Sequence, residues 1–559
     1  MGGAVEARQP MAARGLGRAA NGLRRARGGF WVRPRRGEMG VEREVRRVAS
    51  GAGCVVSAEG PATAPARGGP RSCSGVTLSR SPGLVLCHGG LLAAFLEAPG
   101  EGAGPYVPAP PGPDVRLRVR WANAAAASPR GARAAPADLL GLLRCPAFAA
   151  ACGRLLKAGP AEPWAAGEEE EEEEAARWLG WFALLRVPEA SVSAAVSAVS
   201  VVPVPERGAE LLLCGCPFGA LCPDLFLNTL SRGVLSNRAG PLLLSDARCL
   251  PGTEGGAAWA GRDPGALAAL VAAPLRARPG GGPLGLALLC AARPLLHAAL
   301  AGLPPREARA LRALLTSDPG TPQEGRHHRH RPHHRDHHRR AVLVACGPAW
   351  GSGLAWAPRL VLTCRHVVAH GTRVQVRPRP PKSLEIHGRV VFATRDTSPY
   401  DVAVLELEED LPEIPAPVLA DRFQEGEDVS VVGFGVFGQA CGPLVTAGIL
   451  SAVVTVGEEP VMLQTTCAVH SGSSGGPVFA TDSGQLLGIV ASNTRDNSTG
   501  ATYPHLNFSI PITVLQPALR EYLRTGDPAS LDPLNRADER VRRVWRLQRT
   551  AASQPHSRL

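Results

Sequence analysis

The chain has 559 residues, 14 of them Cys, and a formal net charge of +12. That length allows two to four domains with a sizeable core, and Gly plus Pro at about a fifth of all residues favours a loop-rich β protein over a helical one. No run of 18 apolar residues suggests a membrane span and no basic stripe interleaved with aromatics suggests a nucleic-acid surface, so neither partner is expected from the excess charge.

Residues 1–50 hold 12 Arg against 4 Glu and read as a disordered, Arg-rich extension, with Met39 as an alternative start. This acid-poor composition has the character of a mitochondrial transit segment. No secretory signal precedes the scattered cysteines, which are therefore expected to be reduced thiols in an intracellular compartment.

Residues 51–318 form the next expected domain. Short apolar runs such as Leu84-Val85-Leu86-Cys87-His88 and Trp181-Phe182-Ala183-Leu184-Leu185 read as buried strands. The Pro/Gly/Ala-rich stretch 100–137 and the seven consecutive Glu at 168–174 read as exposed loop insertions, where self-cleavage is expected. Cys214-Gly215-Cys216 with Cys222 has poor spacing for zinc and reads as small buried side chains. Helical patterning is confined to stretches such as 286–317 and 512–524. Segment 319–340, with seven His and many Arg, reads as a solvated linker; metal capture there would lack fixed geometry.

Residues 341–525 carry the chemistry. Leu360-Val361-Leu362-Thr363-Cys364-Arg365-His366 places His366 just past a strand. Asp401 opens the apolar run Val402-Ala403-Val404-Leu405, and Ser474 lies in Gly472-Ser473-Ser474-Gly475-Gly476-Pro477. Taken singly, each is an ordinary loop or strand-end residue. Together they run His, Asp, Ser in chain order, which is one of the orders a catalytic triad adopts. Serine needs a base to take its proton, histidine titrates near neutrality, and a carboxylate fixes the imidazole tautomer. Backbone N–H groups of Gly472 and Ser474 would form an oxyanion hole.

Over about 341–518 the chain resembles trypsin-like serine proteases, through Thr-Cys-Arg-His, Asp-Val-Ala-Val-Leu, Gly-Ser-Ser-Gly-Gly-Pro and Leu487-Gly488-Ile489-Val490-Ala491-Ser492. The resemblance implies catalysis by His366, Asp401 and Ser474, a substrate pocket involving Ala468, Ala491 and Ser492, and no cofactor or metal. Ser473 stands where the digestive enzymes carry the Asp used in zymogen activation, and the paired cysteine after the histidine is missing. Both departures point to the intracellular branch similar to the high-temperature-requirement proteases.

The first half echoes these landmarks. Ser74-Gly75-Val76 parallels Ser352-Gly353-Leu354, Cys216-Pro217-Phe218-Gly219 parallels Gly435-Val436-Phe437-Gly438, and Thr253-Glu254-Gly255-Gly256 parallels Ser473-Ser474-Gly475-Gly476. Gly90, Trp181 and Glu254 then fall on the three catalytic positions. The expected fold is mainly β, with tandem chymotrypsin-like double β-barrels, the first degenerate and the second catalytic.

The tail, 526–559, ends in Ser557-Arg558-Leu559, which is similar to a C-terminal peroxisomal address. The whole architecture resembles the peroxisomal branch of trypsin-like processing proteases. That resemblance implies a location in the peroxisomal matrix and removal of N-terminal type-2 leaders from imported matrix enzymes, those of fatty-acid β-oxidation among them. It also implies recognition by the import receptor, self-cleavage and possible self-association. A quality-control protease of another compartment and a non-catalytic binding module of the same fold are the alternatives.

Overall fold

The computed structural model describes residues 51–546 apart from 61–70, 101, 111–114, 123–132, 159–160, 163–174, 193–198, 220–222, 262–264, 278–282, 317–338, 379–384, 413–415, 496–501 and 536–537. The Arg-rich start, the poly-Glu run, most of the His-rich linker and Ser557, Arg558 and Leu559 lie outside the described residues.

Four six-stranded antiparallel barrels follow one another along the chain. The first is built from β1 (Gly53–Glu59), β2 (Arg71–Arg80), β3 (Gly83–His88), β5 (Arg116–Trp121), β6 (Arg133–Arg144) and β8 (Trp181–Val187), with β4 (Tyr106–Pro108) added beside β6. The second uses β10 (Glu210–Gly215), β11 (Thr229–Ala239), β12 (Leu242–Ser245), β13 (Ala257–Ala260), β14 (Ala266–Ala277) and β15 (Pro283–Ala291), with the two-residue strands β7 (Ala161–Glu162) and β9 (Ser200–Val201) beside β14. The third contains β16 (Ala341–Cys346), β17 (Ala349–Ala357), β18 (Leu360–Thr363), β19 (Arg373–Arg377), β20 (Ile386–Ala393) and β21 (Ala403–Leu407). The fourth contains β22 (Asp428–Gly433), β23 (Leu444–Val456), β24 (Glu459–Thr465), β25 (Pro477–Ala480), β26 (Leu486–Arg495) and β27 (Thr502–Pro511).

The strand order of the first barrel, β1-β2-β3-β8-β6-β5, is that of the third, β16-β17-β18-β21-β20-β19. The second and fourth match in the same way. The match extends to register: Gly75 pairs with Cys87 and Gly353 with Thr363, while Cys87 pairs with Ala183 and Thr363 with Ala403. The chain is thus two double barrels in tandem, and closure leaves few free sheet edges.

Two expectations change. The stretch 100–137 is not all loop: β4, β5 and the start of β6 fall inside it. Arg116-Leu117-Arg118-Val119-Arg120-Trp121 alternates charged with apolar, and Leu117, Val119 and Trp121 are buried. The stretch 286–317 is not one helical region: residues to Ala291 are strand β15, followed by helices Ala292–Ala299 and Pro305–Thr316. β15 is buried on both faces along most of its length, so its Leu/Ala run shows no strand alternation.

The two halves pack directly. β11 lies against its counterpart β23, and β15 touches its counterpart β27. Val436, Phe437 and Leu444 of the second half are buried in the core of the first.

Candidate active site

β18 ends at Thr363, whose hydroxyl donates to the Ser352 carbonyl at 2.7 Å, and the chain turns through Cys364 into a short 3-10 segment, Arg365–Val368. Val367 and Val368 point into the third barrel, which leaves His366 on the outer side with its side chain 50% exposed. Asp401 follows buried Tyr400, two residues before β21, the hydrogen-bonded neighbour of β18. Strand pairing therefore brings the two residues together. Asp401 Oδ2 lies 2.6 Å from His366 Nδ1, and Oδ1 accepts the His366 backbone N–H at 3.1 Å. With the carboxylate ionised this two-point hold puts a proton on Nδ1, the arrangement that lets a histidine act as a base through Nε2. Burial works to raise the Asp401 carboxyl. The hydrogen bond and charge of His366, with Arg365 and the backbone N–H, outweigh it and keep the group below the usual carboxylate range.

Cys364 Sγ and ligand atoms of His366 and Asp401 lie within 4.8 Å of one another. A metal is poorly served there. Burial, followed by the Asp401 charge, pushes the Cys364 thiol well up, and its S–H donates to the Val490 carbonyl at 3.2 Å.

Ser474 sits in the turn that enters β25. Gly472 has φ +90° and Gly475 φ +84°, both in the left-handed region. A Cβ at Gly472 would run into the Phe434 carbonyl and the Trp350 ring. The turn is tied by Ser473 N–H to the His470 carbonyl (2.9 Å), Gly475 N–H to Val490 (2.7 Å) and Gly476 N–H to Ser473 (3.0 Å). The Ser352 hydroxyl donates to the Gly472 carbonyl at 2.6 Å and accepts the Phe434 N–H at 2.7 Å, which fixes the orientation of the 472–473 peptide. Among the described residues, neither the Gly472 nor the Ser474 N–H is taken up in a hydrogen bond. Two unspent donors beside a serine are what a developing oxyanion requires.

At the expected pocket base, Ala468 is buried and its carbonyl accepts the Thr446 hydroxyl at 2.9 Å. The base therefore carries a methyl group and no charge. Ala491 is buried on β26 and Ser492, next to it, is half-buried. Ser352, Cys364 and His470 support this site without having been singled out for it from the sequence. For Ser352 a signal was present, because its Ser-Gly dipeptide recurs at Ser74-Gly75.

The family profile described as trypsin-like peptidase domain matches residues 351–489. The human peroxisomal leader peptide-processing protease is 54% identical over 566 residues, spanning 92% of this chain and 98% of that protein. Its Mus musculus counterpart is 53% identical, again over 92% of this chain and 98% of its own length. The chain belongs to the peroxisomal leader peptide-processing protease family. A protein of Halomonas elongata named "probable periplasmic serine endoprotease DegP-like" is 32% identical over 28% of this chain and 31% of its own length.

In this member of the leader peptide-processing family the first half keeps the backbone of the candidate site and lacks its His, Asp and Ser. Strand register puts Gly90 at the position of His366, in the matching 3-10 turn Gly89–Leu92, and Trp181 at that of Asp401. Gly252 and Gly255 have φ +91° and +82°, and the turn repeats the same bonds: Thr253 to Leu250 (3.0 Å), Gly255 to Val271 (2.8 Å) and Gly256 to Thr253 (2.9 Å). The Ser74 hydroxyl donates to the Gly252 carbonyl at 2.6 Å and accepts the Cys216 N–H at 2.7 Å, as Ser352 does with Gly472 and Phe434. Cys216 is thus the partner of Phe434, one residue off the sequence echo with Gly435; the strands align through Gly215 and Gly433, and the turns after them differ.

Glu254 stands in the turn where the second half carries Ser474. Its carboxylate accepts the Gly252 N–H at 2.7 Å, the donor equivalent to the Gly472 N–H, so the side chain occupies its own turn. Burial raises that carboxyl against the pull of backbone N–H groups and the charge of Arg276.

Proposed function

We propose that this chain is a peroxisomal serine endopeptidase that removes leader peptides from imported matrix proteins, with Ser474, His366 and Asp401 as nucleophile, base and orienting carboxylate. The observation that carries the reading is the His366–Asp401 pair beside a serine turn with two unspent N–H donors, in a chain 54% identical to a leader peptide-processing protease.

The chemistry follows from the geometry. His366 Nε2 takes the Ser474 hydroxyl proton as Oγ attacks the scissile carbonyl carbon. The carbonyl oxygen becomes an oxyanion held by the Gly472 and Ser474 N–H groups. Protonated His366, steadied by Asp401, gives the proton to the leaving amine and the C–N bond breaks. A water then attacks the acyl-enzyme, with His366 again as base.

The uncharged base at Ala468 favours small neutral side chains over Arg or Lys in the pocket, in keeping with cleavage near a leader cysteine. Type-2 leaders on enzymes of fatty-acid β-oxidation are the proposed substrates. Ser557-Arg558-Leu559 is the proposed address read by the import receptor, and self-cleavage and self-association belong to the same reading.

The test incubates wild-type and Ser474→Ala protein with a leader-bearing matrix enzyme and sequences the product N-terminus. A new N-terminus made only by the wild type, at a site not dominated by Arg or Lys, is expected. Equal processing by both proteins, or none by either, would overturn the reading.

A further inference from the structure

Four tie points join the first half to the segments that shape the Ser474 turn. His470 lies four residues before Ser474, and its Nε2 is 2.6 Å from the carbonyl oxygen of Leu284 at the start of β15. A carbonyl only accepts, so Nε2 carries the proton. Burial holds the imidazole neutral, with its pKa lowered to about 4. The backbone of His470 meets Ser473 twice, N–H to Oγ at 3.3 Å and carbonyl to N–H at 2.9 Å. Asp246 bridges the halves, accepting Val234 N–H and Ala447 N–H at 2.6 Å each, and the neighbouring Thr446 holds the Ala468 carbonyl. Asn237 Nδ2 donates to the Cys441 and Gly442 carbonyls at 3.0 and 3.2 Å. Val436 and Phe437, which continue the strand that underlies Gly472, are buried in the first-half core.

We propose that the inactive first half is a built-in activator: through the Leu284 carbonyl it holds His470, a positioning residue, and thereby keeps the Gly472 and Ser474 donors aimed at the oxyanion. Position 473 carries Ser, so an ion pair from Ser473 to a freed N-terminus is not available to hold this turn. The first half supplies an equivalent hold from within the chain. The proposal rests on the peptidase reading above.

The test uses full-length protein and three variants. His470→Phe keeps the ring and removes the donor, while His470→Gln returns an N–H near the Nε2 position. Gly285→Val is made in the first half, next to Leu284: Gly285 has φ +67°, a backbone that a Val side chain strains, and a Cβ there would meet His505 Nε2 of the second half at 2.6 Å, so the start of β15 or the His505 ring must shift. Peptide hydrolysis gives kcat and KM, and a fluorophosphonate gives the labelling rate of Ser474, with Ser474→Ala as the blank.

His470→Phe is expected to lower kcat and labelling rate at least 10-fold, up to the roughly 10²–10³-fold that outright loss of one oxyanion donor costs, with KM changed less than threefold. His470→Gln should recover most of the loss, and Gly285→Val should reproduce it from the first half. Labelling of His470→Phe within twofold of wild type, or equal losses in Phe and Gln, would overturn the proposal. If His470→Phe does not fold, Gly285→Val decides, read against His505→Ala as the control for the displaced ring: a labelling rate within twofold of wild type, or a loss that His505→Ala reproduces in full, overturns it. Wild-type protein that is not labelled at all would refute the peptidase reading instead.

Discussion

Asp401 touches both the ring and the backbone of His366, so its carboxylate fixes a tautomer as well as a position. Asp401→Asn would place an amide beside Nδ1 and favour the wrong tautomer. By analogy with the same substitution in related triads, kcat is expected to fall about 10⁴-fold with little change in KM, measured on a peptide substrate. The candidate residues Ser474, His366 and Asp401 could be picked out in the sequence because the proposed chemistry restricts residue type and the Ser474 turn needs glycine, and the pairing of His366 with Asp401 is what the structure adds. His470 was not legible. Its role depends on a carbonyl 186 residues away, and a main-chain acceptor leaves no trace in residue identity.

At the scale of the elements, Asp246 is the acid that joins β11 to β23. Burial raises its carboxyl to about 6, against the pull of the two N–H donors. Its unfolded value lies near 3.9, so the native state holds the proton more tightly. This contribution to stability is full below that value and is lost as pH rises through about 6. Relative to a non-titrating Asp246→Asn variant, wild-type protein should therefore gain stability on going from pH 7 to pH 4, on the order of 2–3 kcal/mol. Melting temperatures of both proteins across that range would measure it, and a constant difference would contradict the assignment. The same scale explains the misread strands. β5 announces itself by alternation but lies among Pro and Gly, and β15 is buried on both faces and so lacks alternation. In β5 local composition outweighed the short-range pattern, whereas in β15 there was no alternation to read.

For the whole molecule, the tandem repeat was legible because glycines at matching turns survive even where the triad does not. The packing of the halves was not, since it depends on surfaces rather than motifs. Buried contacts and hydrogen bonds hold them together, so cutting the linker should not separate them. A protease site engineered within 319–340, once cleaved, is expected to leave two fragments that co-elute in size exclusion and keep peptidase activity. Separation into two peaks would show that the linker does the holding.

The halves meet through equivalent strands, β11 on β23 and β15 on β27. Contact between equivalent patches is the signature of a closed twofold pair. An ancestor made of two identical subunits would have met in this way, each able to support the other's active site. Once the two halves share one chain, only one of the two sites need work. The support now runs in one direction: His470 reaches across to Leu284, whereas its counterpart in the first half, Leu250, is exposed and has no side-chain hydrogen bond to offer. Once one member of a symmetric pair can no longer be separated from the other, it can lose its own chemistry and still be retained for what it does to its twin.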